Sequence, residues 1–468
     1  MFTENHEAWA KLLFGDADLG DLRRTKRLVK IAGDMAANVG SSVVKASADV
    51  AAIEGAYRLI RNPSIKAEDI AHAGFLKTDE IVAQRPLVLA IQDTTGLSFR
   101  HSICDELGEV TSAGKDCKSS KGRTLFAHST LMIDAQSERI LGLANQDYAY
   151  REKKMTGKAH DLQCRPPQEK KSFKWQKNIE VLANRMDSKD NVIDVCDREA
   201  DIYEYLDFQL SKGHRFLVRA TENRTLNNPA GKLKDALSEM VPEDYFTIEI
   251  KQKGARKART ANIGLSYRNI TLKRPQKARG SKEISLNMVV CREDCTDEAT
   301  ENLHWILYTS EPVNSAEQAR KIVRYYELRW RIEEFHKTWK SDGAQVGKLR
   351  MQSRENFKRI AVILAFVAVR FLQFQELIKD KEEAQKVPCT SCMSQLTWKL
   401  LWKKTEKNKK LPVQPPSLYW MYYAIARLGG WYDSKRTGRV GVKALWSGWI
   451  NLMELVESLE LLKELNDL

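Results

Sequence analysis

The stretch NVIDVCDREAD, residues 191–201, opens with four apolar residues in six (Val192, Ile193, Val195, Cys196) and then stops on an acid. A short branched run of this kind predicts a buried strand, and from Glu199 to Leu206 the spacing turns helical. Upstream, PLVLAIQ (86–92) is a second such run and also ends on an acid, Asp93. Leu125–Asp134 and Arg139–Gln146 alternate about a polar turn, which predicts a hairpin, and RFLVR (215–219) predicts one more strand. Strands in this order, followed by helices, predict an α/β core with a mixed sheet.

Outward from this core the patterns change. The first 70 or so residues read as helices, with helical spacing in Asp21–Val39 and Ala46–Ile60; Arg61-Asn62-Pro63 ends the second, because the residue before proline avoids the helical region. Between Thr221 and His304 short β-favouring runs return. From Ser315 the chain is helical again: Ser315-Ala-Glu-Gln318 fits a capping box, and the periodicity continues to about Lys340. A second apolar helix is predicted over Asn356–Ile378. Ile450–Leu465 carries leucines and methionine at helical spacing, a face suited to a core or to a partner.

The chain has 468 residues, a length that suggests about three domains. Its 43% hydrophobic content excludes a disordered chain. The opening MFTENHEAW has no basic stretch leading into an apolar one, so no secretory signal is expected. The longest apolar run, Ile360–Val369, falls short of the roughly 20 residues that span a bilayer, so it predicts a buried helix in a soluble, cytoplasmic protein with no membrane partner. Cys389-x-x-Cys392 and Cys291-x3-Cys295 lack a second ligand pair, and free thiols are the better reading.

With 76 Lys+Arg against 62 Asp+Glu the formal net charge is +14, which makes a polyanion the first partner to consider. The charge is unevenly spread. Lys251–Lys282 holds eleven basic residues and no acid, enough to neutralise several phosphates. Met1–Ile70 carries ten basic and ten acidic residues, yet Arg23, Arg24, Lys26, Arg27 and Lys30 cluster within two turns, with Arg58 and Arg61 close by. A solvated helix face is the common reading of such a cluster, and DNA contact the sharper one.

Three acids stand out by position: Asp93 and Asp197 after the two buried runs, and Glu333 within the capped helix. Carboxylates at adjacent strand ends, facing a third on a packed helix, can hold two divalent cations about 3.5–4 Å apart for phosphodiester chemistry; Mg²⁺ suits such oxygen ligands. An acid after a strand is also an ordinary turn residue or helix cap. At 100° per residue, Tyr326, Arg329, Glu333 and Lys340 share an arc of about 60°, which predicts an exposed, charged helix face. An i,i+4 salt-bridged surface helix gives the same pattern.

Taken together, DREAD (197–201) and Tyr326-x2-Arg329-x3-Glu333-x6-Lys340 resemble the DDE cut-and-paste transposases of the bacterial insertion-sequence-four family. The resemblance extends through LGDLRRTKRLV, EGAYRLIRNP, Asp93-Thr94-Thr95, WILYTSEPV from Trp305 and IARLGGWYDSKRTG from Ile425, nearly the full chain. It implies a ribonuclease-H-like catalytic core with a β-rich insertion, flanked by all-helical N- and C-terminal domains. The implied boundaries are a DNA-binding domain over 1–72, catalytic segments 73–220 and 305–372, an insertion over 221–304 and a dimerisation domain over 373–468. It implies that Asp93, Asp197 and Glu333 form the metal-binding triad, with two Mg²⁺ ions (or Mn²⁺). Tyr326, Arg329 and Lys340 are then implied to hold phosphates, and Arg219 and Trp305, with Trp330, to attend a flipped base. Arg23, Arg24, Arg27, Arg58, Arg61 and Asn62 are implied to read the terminal repeats. The partners implied are double-stranded DNA, both element ends and target, and a second copy of the chain in a synaptic homodimer. A non-catalytic DNA-binding regulator and a host nuclease of the same fold are the rival expectations.

Overall fold

The computed structural model describes residues 5–99, 123–150, 172–186, 190–229, 231–250, 258–294, 302–434 and 440–466, with residues 103, 106, 107 and 170 between them. Five helices come first: α1 (His6–Phe14), α2 (Leu22–Ala37), α3 (Val43–Ala46), α4 (Val50–Arg61) and α5 (Ala67–Val82). Asn5, Asp21, Ser42 and Asp49 each cap one of the first four by accepting a backbone N–H. The central chain gives β1 (Val88–Phe99), β2 (Arg123–Asp134), β3 (Ile140–Ala149), α6 (Phe173–Arg185), β4 (Val192–Cys196), α7 (Tyr203–Ser211) and β5 (Arg215–Arg219). Next come β6 (Thr225–Asn228), β7 (Gly231–Lys232), α8 (Leu233–Ser238), β8 (Asp244–Ile250), β9 (Arg259–Lys273), β10 (Glu283–Glu293) and β11 (His304–Thr309). Helices close the chain: α9 (Ala316–Glu327), α10 (Trp330–Lys337), α11 (Arg354–Gln375), α12 (Lys381–Lys386), α13 (Gln395–Thr405), α14 (Leu418–Leu428) and α15 (Val442–Asn466).

All eleven strands form one mixed sheet in the order β3-β2-β1-β4-β5-β11-β10-β9-β6-β7, with β8 also on β9. The pairs β1·β4 and β4·β5 are parallel. This mixed α/β arrangement with helical ends is consistent with a ribonuclease-H-like core. The β-rich stretch after Thr221 makes no separate sheet, because β11 pairs antiparallel with β5 and carries the same sheet onward.

The central strands are covered on both faces, which explains their unbroken apolar runs. Leu89, Ile91, Ile193, Val195 and Leu217 pack toward the core that holds α11, whereas Val88, Ala90, Val192, Cys196 and Val218 pack toward Trp175 of α6 and Tyr205 of α7. By length and composition α11 could cross a membrane, but it is the core helix, buried almost without break from Phe357 to Phe374. Arg359, also buried, donates to the carbonyls of Ile60 and Ile65 and so fastens the N-terminal helices to it.

A third core joins α13, α14 and α15. There Gly429 and Gly448 let two helices touch: a Cβ on either would lie 1.8 Å from a backbone oxygen of the other helix. Gly448→Val should therefore cost at least about 1–3 kcal/mol of stability through overpacking and lower the thermal midpoint; an unchanged midpoint in calorimetry would contradict this close approach.

Three expectations are corrected. β1 runs on to Phe99, so Asp93 sits within the strand and not after it. The helix predicted from Ser315 to Lys340 is broken. Hydrogen bonds tighten to three-residue spacing at Arg329, Arg331 and Ile332, and Thr338–Asp342 forms a π-turn. The cap also differs: Ser315 Oγ accepts from Gln318 N–H, but the Gln318 side chain accepts from Asn314 N–H.

Candidate active site

Register brings the two aspartates near each other. In the parallel β1·β4 pair Leu89 faces Ile193 and Ile91 faces Val195, the last pair; Asp93 and Asp197 each lie two residues beyond it, near enough for the Asp197 charge to act on Asp93. Side chains alternate across a strand, which puts both on the face of Ile91 and Val195. Asp197 leaves β4 with extended backbone and caps the short turn Arg198–Ala200, its Oδ1 accepting from Glu199 N–H at 2.8 Å. α10 packs Ile332 and Phe335 into the core of that same face and carries Glu333 there. The resulting cleft, about 380 Å³, is lined by Asp93, Thr94, Thr95, Glu333, His336, Lys337, Lys340 and Ser341.

The charges in the cleft are mutually engaged. The Arg329 guanidinium pairs with Glu333 and lies 3.9 Å from Asp93 Oδ2. Lys340 Nζ donates to Thr95 Oγ1 at 3.0 Å, and burial pulls its ammonium below the ordinary value. The Asp93 carboxyl is pushed up to about 6, chiefly by burial; Thr94 N–H and Arg329 pull it down, while Asp197 and Glu333 push it further up. A carboxyl so raised costs stability once ionised in the fold, above about pH 6, and costs nothing below the ordinary carboxylate range. Asp93→Asn should accordingly raise the thermal midpoint of the free protein at pH 8. That gain should vanish as the pH falls through 6 to about 4; a gain independent of pH would contradict the burial argument.

The donor set suits a hard divalent cation in kind: carboxylate oxygens from three elements on one face, whose mutual repulsion a cation would relieve. Among the described residues no group of three His, Cys, Asp or Glu side chains is already gathered as a metal cage. Positive charge between Asp93 and Glu333 is supplied by Arg329.

Beside the cleft, Tyr326 is buried and meets the Trp305 ring edge-on at 5.3 Å, with Arg219 within hydrogen-bonding reach. The expectation that Tyr326 shares an exposed charged face is thus corrected: Tyr326 lies on the buried face of α9 with Ala319, Ile322 and Val323, and the break after it puts Arg329 and Glu333 on a separate helix. Arg219 also donates to His304 O. Trp330 is half exposed, on the helix of Glu333. Sequence reasoning passed over His336, three residues beyond Glu333 on one helix face, whose Nδ1 lies 3.7 Å from Asp93 Oδ2. The i,i+3 spacing was the available signal.

The N-terminal cations divide. Arg23, Arg58 and Arg61 are exposed; Arg23 pairs with Asp21, and Arg61 stacks on Tyr57 at 4.9 Å. Arg24 donates to Leu19 O, and the Arg27 guanidinium crosses α4 over Gly55, where a Cβ would sit 2.4 Å from it. Asn62 accepts from Ser64 N–H in the turn before α5. The basic insertion also divides. Lys251, Lys253, Arg256 and Lys257 lie outside the described residues, as does Cys295. Arg259 pairs with Glu293. Lys273 and Lys282 fall at the far end of β9 and β10 from Trp305, because Lys273 pairs with Glu283 whereas Cys291 pairs with Trp305. In the lysine-rich Lys403–Lys410 run, Glu406 holds Lys409 and Arg427. Cys196, Cys291, Cys389 and Cys392 are buried and unbridged.

Comparison with protein families gives two matches. Residues 6–65 match the transposase DNA-binding family, and residues 154–370 match the transposase DDE domain, which takes in Asp197 and Glu333. Together the two matches support a DNA transposase of the DDE class.

Proposed function

We propose, from that domain content, that this chain is a cut-and-paste transposase of the insertion-sequence-four type with the Tyr-Arg-Glu-Lys signature. The observation that carries the reading is Asp93 within β1, with the charges of Asp197 after β4 and Glu333 on α10 both near enough to act on it, beside Arg329 and Lys340. Asp93, Asp197 and Glu333 would hold Mg²⁺ or Mn²⁺, two ions per site. Bound there, such ions activate the attacking oxygen and stabilise the leaving one. Arg329 and Lys340 bind the phosphates flanking the scissile bond, and Tyr326 positions them. Trp305 and Arg219 receive a base turned out of the duplex, with Trp330 at the rim; stacking offsets the few kcal/mol of unpairing. Nicking, hairpin formation by the freed 3′-hydroxyl, hairpin opening and strand transfer then follow at one site.

In this reading residues 1–72 recognise the terminal repeats through Arg23, Arg24, Arg27, Arg58, Arg61 and Asn62. Residues 73–220 and 305–372 cut, 221–304 form the insertion, and 373–468 form the dimer contact. The protein works in the bacterial cytoplasm, on the nucleoid.

The test is a gel assay with linear DNA bearing candidate terminal repeats and Mg²⁺. Paired-end cutting through hairpin intermediates supports the reading; end binding without cutting favours a regulator, and cutting without paired ends favours a host nuclease. Trp305→Ala should lower hairpin yield about tenfold or more while first-strand nicking continues, since stacking is worth roughly 1–3 kcal/mol per base; undiminished hairpins would remove Trp305 from that role.

Charge neutralisation at Arg268, Lys273, Arg274, Lys277, Arg279 and Lys282 should weaken binding to all DNA sequences alike. The salt slope should flatten by about 0.9 for each phosphate left without its cation. A loss confined to the cognate end would overturn that division of labour.

A further inference from the structure

Directly behind the two aspartates, on the opposite face of the sheet, lies a buried chain of hydrogen bonds that the proposed chemistry does not use. Asp194 on β4 is fully buried, and three neutral donors converge on it: Gln92 Nε2 from β1 at 2.6 Å, Gln209 Nε2 from α7 at 2.8 Å, and the Tyr205 hydroxyl. Its Oδ1 also lies 3.5 Å from Cys196 Sγ. The Gln92 amide therefore has a fixed sense. Its nitrogen faces Asp194, so its oxygen faces His128 Nε2 of β2 at 2.9 Å. An amide oxygen only accepts, so Nε2 of His128 carries the proton.

His128 is buried edge-on against Trp175, with Lys174 and Lys177 near enough to disfavour a second proton. Its Nδ1 is then a bare acceptor, and the Thr94 hydroxyl at 2.9 Å donates to it. The order runs one way: Thr94 to His128 to Gln92 to Asp194. It crosses β2, β1 and β4, and both ends adjoin the active site. Thr94 follows Asp93 and gives it a backbone N–H at 2.8 Å, and Asp194 precedes Asp197 by three residues.

We infer that Asp194 is a positioning residue: its buried charge sets the direction of this chain, and the chain locks β1 to the end of β4 so that Asp93 and Asp197 keep their relative placement. A carboxylate is required because every neighbour donates. An amide at 194 would offer a donor to at least one of them, and the least costly repair is to reverse Gln92 and move the His128 proton to Nδ1.

The inference rests on Asp93 and Asp197 being catalytic, and the experiment separates the two. Protein labelled with ¹⁵N-histidine, with the His128 signal assigned by loss in His128→Gln, reports the tautomer without any activity. The wild type should show Nε2–H, and Asp194→Asn should shift it toward Nδ1–H. In the cleavage assay Asp194→Asn should lose about 10- to 100-fold with end binding intact. The double variant Gln92→Glu with Asp194→Asn moves the carboxylate one place along the chain, where it can accept both from His128 and from the new amide at position 194. It should recover at least tenfold over Asp194→Asn, a coupling that independent structural damage would not give. An Nδ1–H wild type, full activity of Asp194→Asn, or merely additive losses would each overturn the inference. Full activity of Asp93→Ala would instead overturn the proposed function, leaving the tautomer result standing.

Discussion

Asp93→Ala, Asp197→Ala and Glu333→Ala should each cut DNA cleavage by about a thousandfold or more, roughly 4 kcal/mol of transition-state stabilisation, while each variant still folds and shifts end DNA in a gel. The argument for separability is spatial. Asp93 and Glu333 line one cleft, with the Asp197 charge near Asp93, and the transposase DNA-binding match ends at residue 65. None of the three supports the core. Asp197 caps one short turn, and Glu333 and Asp93 spend their charge on Arg329. Removing one leaves Arg329 to the others. Mg²⁺-dependent cutting at wild-type rate by any of the three would end the assignment, whereas loss of end binding would show the two functions to be coupled.

How much of this was legible in the sequence follows from range. Local patterns were: the run 215–219 became β5 with those bounds, 191–196 became β4 one residue shorter, and the hairpin and the N-terminal helices fell close to expectation. The acids could be singled out because hard divalent cations call for carboxylate oxygens. What could not be read depends on partners far along the chain. β1 continues past Asp93 because β2 pairs with it through Phe99 and Arg123. The insertion extends the main sheet only because β11 finds β5. The break at Arg329 answers to Trp305 and to Asp93, neither within twenty residues of it. The Asp194 chain joins residues up to 102 positions apart, and no spacing rule exposes it.

Asp201 should behave in the opposite way to Asp197, although both belong to DREAD. Asp201 is buried; its Oδ2 accepts from the backbone N–H groups of Thr221 and Glu222, and its Oδ1 takes Arg224 Nε at 2.9 Å. Arg224, itself buried, also donates to Asp201 O. One carboxylate thus anchors the start of the β-rich insertion to the turn that positions Asp197. Asp201→Ala removes the acceptor for both backbone N–H groups and strands a buried guanidinium, a loss of about 3–5 kcal/mol. The thermal midpoint and the urea midpoint should both fall, with cleavage lost in proportion to the unfolded fraction and not through chemistry. Asp201→Asn keeps the acceptor oxygen but not the charge and should fall between. Cleavage by Asp201→Ala measured well below its lowered midpoint should still exceed that of Asp197→Ala at the same temperature. A stable but inactive Asp201→Ala would place this residue with the chemistry and not with the frame that holds it.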